Sequence, residues 1–297
     1  MTKFLFPNGA ATSTGAYIIV QVIHENGELF DGNLYADYKF DKNPEGFGTD
    51  WIAISICYYE KENVVYAAGE KGEIVRITDT ENLPELIAPA ENSPAIQGPI
   101  REIQLIGDEL YAVGMGRQVY RRVGEGSWEH IDAGVLDTSG RTTAGLTSIT
   151  GDSHGFLIAV GYDGEIWEYQ GLWMQIDSPT NLLLTRAISH NGKYYAVGLV
   201  GTVLCREPVG WRVIETPSFK LDIWDLETFH GKLYLGTTQG LFWITPEEEI
   251  KPVDPAIFTR QIHCANLSAG HGRLWCFGAD IVSSTTDGTL WREETVF

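Results

Sequence analysis

Apolar residues fall in short runs along this chain, and one run recurs at a near-constant interval. It reads Val65-Tyr-Ala-Ala-Gly69-Glu-Lys-Gly72-Glu-Ile-Val-Arg-Ile77, then Leu110-Tyr-Ala-Val-Gly114-Met-Gly116. Leu157-Ile-Ala-Val-Gly161-Tyr-Asp-Gly164-Glu-Ile-Trp-Glu-Tyr169 and Tyr194-Tyr-Ala-Val-Gly198-Leu-Val-Gly201-Thr-Val-Leu follow, with looser copies ending at Gly236 and Gly278. Each copy is an apolar strand, a glycine-hinged turn and a second strand, the pattern of an antiparallel hairpin. No window of a dozen residues carries a helical period.

Each repeat breaks into four runs, strands a to d. Leu146–Thr150, Phe156–Val160, Glu165–Tyr169 and Trp173–Ile176 are the clearest set. The a–b turns carry Gly107-Asp108, Gly151-Asp152, Asn191-Gly192, His230-Gly231 and Gly270-His-Gly272. Such pairs supply the positive backbone angles of tight hairpins. The glycines closing strand b (69, 114, 161, 198, 236, 278) are spaced 45, 47, 37, 38 and 42 apart. Gly27 precedes Gly72 by 45, one more period, with Val20–Ile23 as strand b and Leu29-Phe30 in strand c. The count becomes seven hairpins in 297 residues. A repeat of this length built from short strands predicts an all-β, seven-bladed β-propeller of four-stranded antiparallel blades, one domain over residues 1–297. Six blades plus an N-terminal extension is the alternative. Phe4-Leu-Phe6 or the terminal Thr289–Phe297 completes the blade where the ring closes.

Forty acidic against twenty-one basic residues give a formal charge of −19. Such a surface repels nucleic acid and anionic membranes and speeds encounter with basic partners. The acids lie scattered through the turns rather than in one tail. No stretch approaches the ~20 apolar residues that span a bilayer, and the start, Met1–Pro7, lacks a signal-peptide core. A cytoplasmic protein without a membrane segment is expected. Cys57, Cys205, Cys264 and Cys276 have no paired ligand spacing. Cys264 and Cys276 could face each other across one hairpin, but free thiols are the favoured reading.

With its apolar-Ala-Val-Gly-x-x-Gly-x-Ile hairpin, the repeat resembles the WD40-like and YVTN-like propellers, and most of all photosystem II assembly factors and Asp-box proteins. Those families follow the hairpin with a Ser/Thr-x-Asp-Gly-x-x-Trp turn. Only Thr285-Thr-Asp287-Gly288-Thr-Leu-Trp291 approaches it here. Gly126-Ser-Trp128, Gly171-Leu-Trp173 and Gly210-Trp211 keep glycine and tryptophan but lose the aspartate. No blade ends in Trp-Asp after an upstream Gly-His, which disfavours WD40 proper. The resemblance implies the fold and carries almost nothing about activity.

Chemistry is sparse. The seven histidines form no His-x-His or His-x-x-x-His pair, so no metal or other cofactor is expected. The glycine pairs precede strands, whereas a phosphate loop opens a helix. No Gly-x-Ser-x-Gly occurs. Arg101, Arg186 and Arg260 sit near the starts of different strands a, where side chains reach the channel mouth. Glu102, Trp224 and Asp225 share those positions, with Trp51 in strand a and His263 placed to face the channel. These eight are the candidate binding residues, and no catalytic residue is assigned. Trp128, Trp173, Trp211, Trp243 and Trp291 recur in or beside strands c and d and read as packing between blades.

A rigid recognition scaffold, a charge of −19 and no catalytic motif point to a non-enzymatic, monomeric protein that docks a basic protein partner. An immunity protein covering a toxin such as a nuclease is the specific form. The alternatives are a propeller enzyme, a lyase or glycan hydrolase, using Arg101, Arg186, Arg260 and His263, and a scaffold or assembly factor. Recognition is expected where the copies disagree, in the d–a loops around 90–98 and 133–142 and at the strand-a starts.

Overall fold

A computed structural model describes residues 3–23, 27, 32–39, 45–87, 93–137, 139, 144–254 and 263–296. Seven four-stranded antiparallel sheets form a seven-bladed β-propeller, so the six-blade alternative is set aside. The first blade holds β1 (Lys3–Ala11), β2 (Gly15–Ile23), β3 (Asn33–Lys39) and β4 (Glu45–Thr49). The second holds β5 (Ala53–Tyr59), β6 (Val64–Gly69), β7 (Glu73–Ile77) and β8 (Asn82–Leu86). The third holds β9 (Ile100–Ile106), β10 (Glu109–Gly114), β11 (Val119–Gly124) and β12 (Ser127–His130). The fourth holds β13 (Leu146–Gly151), β14 (Leu157–Gly161), β15 (Ile166–Tyr169) and β16 (Trp173–Ile176). The fifth holds β17 (Leu184–His190), β18 (Lys193–Gly198), β19 (Val203–Glu207) and β20 (Gly210–Val213). The sixth holds β21 (Ile223–Phe229), β22 (Lys232–Thr237), β23 (Gly240–Ile244) and β24 (Ile250–Pro252). The seventh holds β25 (Asn266–Gly270), β26 (Arg273–Phe277), β27 (Val282–Thr285) and β28 (Trp291–Glu294). One short α-helix, α1 (Pro94–Gln97), stands among the described residues, and no helix there is long and apolar enough to cross a membrane.

Two compact units hold these blades, Ile54–Lys220 and the pair of segments Met1–Ala53 with Leu221–Phe297. Within each, the core lies between neighbouring blades. Tyr111, Val113 and Val119 of the third blade pack on Leu146, Leu157 and Trp167 of the fourth. Ile158, Val160 and Ile166 of the fourth pack on Ala187, Ala196 and Leu204 of the fifth. Strand b is covered on both faces, which is why Leu157–Val160 is continuously apolar instead of alternating. Fully burying each large aliphatic there contributes roughly 1.5–3 kcal/mol.

The recurring glycine closing strand b has a steric cause. A methyl group on Gly161 would overlap the carbonyl oxygen of Gly145, and one on Gly198 that of Leu183. The next residue then donates its N–H to the same carbonyl, Tyr162 to Gly145 at 3.0 Å and Leu199 to Leu183 at 3.1 Å. Only a glycine lets the turn sit this close to the residue that precedes strand a.

Both chain ends are used, each in its own blade: Phe4–Phe6 lies in β1 and Trp291–Glu294 is β28. The first and seventh blades, both in the split unit, are joined by side chains. Asn266 Nδ2 donates to the Pro7 carbonyl at 2.5 Å, and the Ala11 N–H to Ser268 Oγ at 2.9 Å. Glu294, buried, accepts from Tyr38 Oη at 2.8 Å and from Ser284 Oγ at 2.6 Å. Leu29-Phe30, expected in strand c of the first blade, lies outside the described residues, and β3 is described from Asn33. One sequence expectation needs correction. Cys264 and Cys276 are buried with Cα atoms 5.5 Å apart and their sulfurs at disulfide distance, where free thiols were favoured.

Candidate functional site

The strand-a positions divide into those that tie blades together and those that meet solvent. Within the continuous unit, a side chain on strand a of one blade accepts the backbone N–H of strand a in the next. Ser55 Oγ accepts from Ile103 at 3.1 Å, Glu102 Oε2 from Ile149 at 2.7 Å, and Ser148 Oγ from Ala187 at 3.1 Å. In the other unit Asp225 Oδ2 accepts from Leu267 at 2.7 Å and Oδ1 from Leu226 at 2.8 Å. All four acceptors are buried. Buried polar groups with this many partners specify one arrangement of the strands. Glu102 and Asp225 are therefore held inside the scaffold.

Arg186 reaches across to Glu102 in an ion pair and donates to Gln104 Oε1 at 3.3 Å. Arg101 pairs with Glu70 at 3.2 Å in a half-exposed bridge. Each guanidinium is already engaged by a carboxylate of the chain, so these two do not present a pair of open arginines to an anionic ligand. Arg260 lies outside the described residues. Trp224 stands at the start of β21, 41% exposed. Trp51 and His263 are displaced from the strands in which they were expected. Trp51 sits in the bend before β5, where the Thr49 hydroxyl donates to its carbonyl at 2.9 Å and its ring meets Tyr35 edge-on at 6.3 Å. His263 precedes β25 and is exposed.

A set of arginines on strand c or in the turn before it was not foreseen. Arg122 donates to Glu85 at 2.9 and 2.6 Å and lies over Tyr66, 5.2 Å from its centroid. Arg206 donates to Glu168 at 2.7 and 2.9 Å and lies over Phe156 at 5.3 Å. Arg117 donates to Glu165 and lies over Trp167 at 5.5 Å. Each clamp joins adjacent blades with a bidentate fork and an aromatic face. The hydrogen bond to its carboxylate raises the pKa of Arg117 and of Arg206 beyond the usual guanidinium range. Spacings of 37, 38 and 48 residues between partners track the repeat, and that is the signal a sequence could offer.

The remaining chemistry is structural. Burial pushes the Cys57 thiol up to about 12 and raises that of Cys205, which withholds the thiolate needed for nucleophilic attack. Among the described residues no three His, Cys, Asp or Glu side chains gather to hold a metal ion. His230 and His271 open a–b turns with φ of 47° and 50°.

The fold is a β-propeller of the WD40 and YCF48 type. The WD40 propeller domain of Doa1 superposes with a TM-score of 0.67 at 10% identity, over 99% of this chain and 96% of that one. YCF48 from Cyanidioschyzon merolae gives 0.65 at 12% identity over 95% of both chains. A structure of YCF48 bound to D1 peptide gives 0.61 at 15% identity over 82% and 81%. No protein-family profile matches the chain. In sequence, the chain is 33% identical over 243 residues to the immune protein Tsi7 of Pseudomonas aeruginosa, spanning 81% of this chain and 78% of Tsi7. It belongs to the family of Tsi7.

Proposed function

We propose that this chain is a cytoplasmic immunity protein that neutralises a basic protein toxin by covering its working surface, such as the nucleic-acid site of a nuclease. The carrying observation is the 33% identity to an immune protein over most of both chains. The charge distribution supports a basic partner. Nine of the described arginines pair with a carboxylate of the chain itself. The surplus acids, among them Glu62, Glu81, Glu125, Asp163, Asp177 and Glu215, face solvent. Such a surface accelerates capture of a cationic protein and rejects nucleic acid. That a YCF48 propeller is seen with a bound peptide fits a scaffold of this shape serving protein recognition.

The test is growth rescue. A toxin encoded beside this gene is induced in a sensitive host with and without the chain, and the two proteins are then co-purified. Rescue with a stoichiometric complex supports the reading. Unrescued growth, or capture of only neutral or acidic proteins, overturns it.

A further inference from the structure

The b–c turn of the fifth blade, Leu199–Gly201, is built on the wrong residue for its shape. Val200 has φ 55° and Gly201 φ 71°, so both central residues lie in the left-handed region. Turns of this kind select Asn, Asp or Gly first and Gly second. Elsewhere the first position holds Asp163 or Asn191, with φ 55° and 49°, or the histidines His230 and His271, with φ 47° and 50°, and none of these is β-branched. A β-branched residue in this region is a steric outlier. Its side chain is also 46% exposed, so burial does not offset the strain.

Apolar neighbours surround the outlier. Leu199 donates to the Leu183 carbonyl at 3.1 Å, and the Phe219 ring and carbonyl crowd the space above Gly201. Leu182, Leu183, Leu199 and Phe219, which lie beside the turn in sequence or through these contacts, are all half-buried. Exposed acids lie on the same blades, Asp163 on the neighbouring turn, Asp177, and Glu215 beside Thr216, which donates to the Gly201 carbonyl at 3.2 Å, together with an exposed base, Lys220, next to Phe219. Strain held at an exposed apolar position is a mark of function, because a better-folding residue is one substitution away.

We propose that Val200 and these apolar neighbours form a patch that is the anchor point for the partner, and that its occupant is a segment of the basic toxin carrying apolar side chains flanked by lysine or arginine. Apolar contact with Val200 and the leucines supplies complementarity, and the exposed carboxylates pair with the flanking cations. The proposal rests on the reading that the chain docks a basic protein, and it locates that docking on the b–c side of the fourth and fifth blades.

The experiment uses the purified toxin of the rescue assay and the full chain carrying Val200→Asn. Asparagine suits the left-handed region, so the variant is expected to melt about 2–4 °C higher than the parent. Its affinity for the toxin is expected to fall about tenfold, a loss of about 1.4 kcal/mol. A second variant, Leu182→Ser, should weaken binding at the patch edge without the gain in melting temperature. Unchanged affinity in both variants, with binding that salt still weakens, overturns the patch and leaves the docking reading standing. If the parent chain does not bind the toxin at all, the docking reading fails and the patch with it.

Discussion

The fourth and fifth blades carry the same turn with different residues. In each, a glycine closes strand b against a carbonyl, the following residue donates to that carbonyl at 3.0 or 3.1 Å, and two residues at φ 55° and 71° reverse the chain. The fourth blade places Asp163 at the left-handed position and the fifth places Val200. What the two share, the close-approach glycine and the hydrogen bond, is demanded by the fold. What they do not share is free to serve recognition, and there the fifth blade accepts strain to present an apolar side chain.

Four experiments break or sharpen that comparison. The largest effect should come from Gly161→Ala and Gly198→Ala. Each drives a methyl group into a carbonyl that cannot retreat without moving strand a, so each should destabilise by about 3 kcal/mol or more in chemical denaturation. Similar losses in both blades are expected, and a tolerated alanine in either would deny the shared geometry. Next is Arg206→Ala, which strands the buried Glu168 between these blades; about 2 kcal/mol is expected, against less than ~1 kcal/mol for Arg101→Ala in its exposed bridge. Third is the reciprocal exchange. Val200→Asn should stabilise and Asp163→Val destabilise, each by about 1 kcal/mol.

The smallest effect concerns the seventh blade. Asp287 accepts the N–H groups of Leu290 and Thr289, both at 2.7 Å, and these hold its pKa at about 2 against the ordinary 3.8. A depressed carboxylate favours the folded state above the unfolded pKa. That contribution is therefore present above 3.8 and is lost as the pH falls through about 2. A carboxyl-carbon NMR titration of Asp287 with its midpoint at the ordinary value would contradict it.

Much of the fold was legible because sterics fix it. The strand-b glycines Gly161 and Gly198 sit where a methyl group would overlap a carbonyl, so their recurrence marks blades, and the N-terminal copy was found through the spacing of Gly27 from Gly72. The strand-d tryptophans read correctly as packing: Trp173 is buried, and its Nε1 donates to the Ile131 carbonyl of the preceding blade at 2.7 Å. The candidate site was less legible. Strand a alternates between pointing at a neighbouring blade and away from it, and a one-residue offset separates buried Asp225 from exposed Trp224. Arg186 and Glu102, both read as channel-mouth residues, pair with each other, a pairing no single blade reveals. Val200 was visible as a breach of the turn rule, had Val-Gly been weighed against Asp-Gly at the same repeat position.

Capture of a cationic toxin by an acidic propeller is tested most directly by the association rate between the purified chain and that toxin as salt is raised. Between about 0.05 and 0.5 M salt the association rate should fall at least about tenfold while dissociation changes little. An association rate indifferent to salt would contradict it.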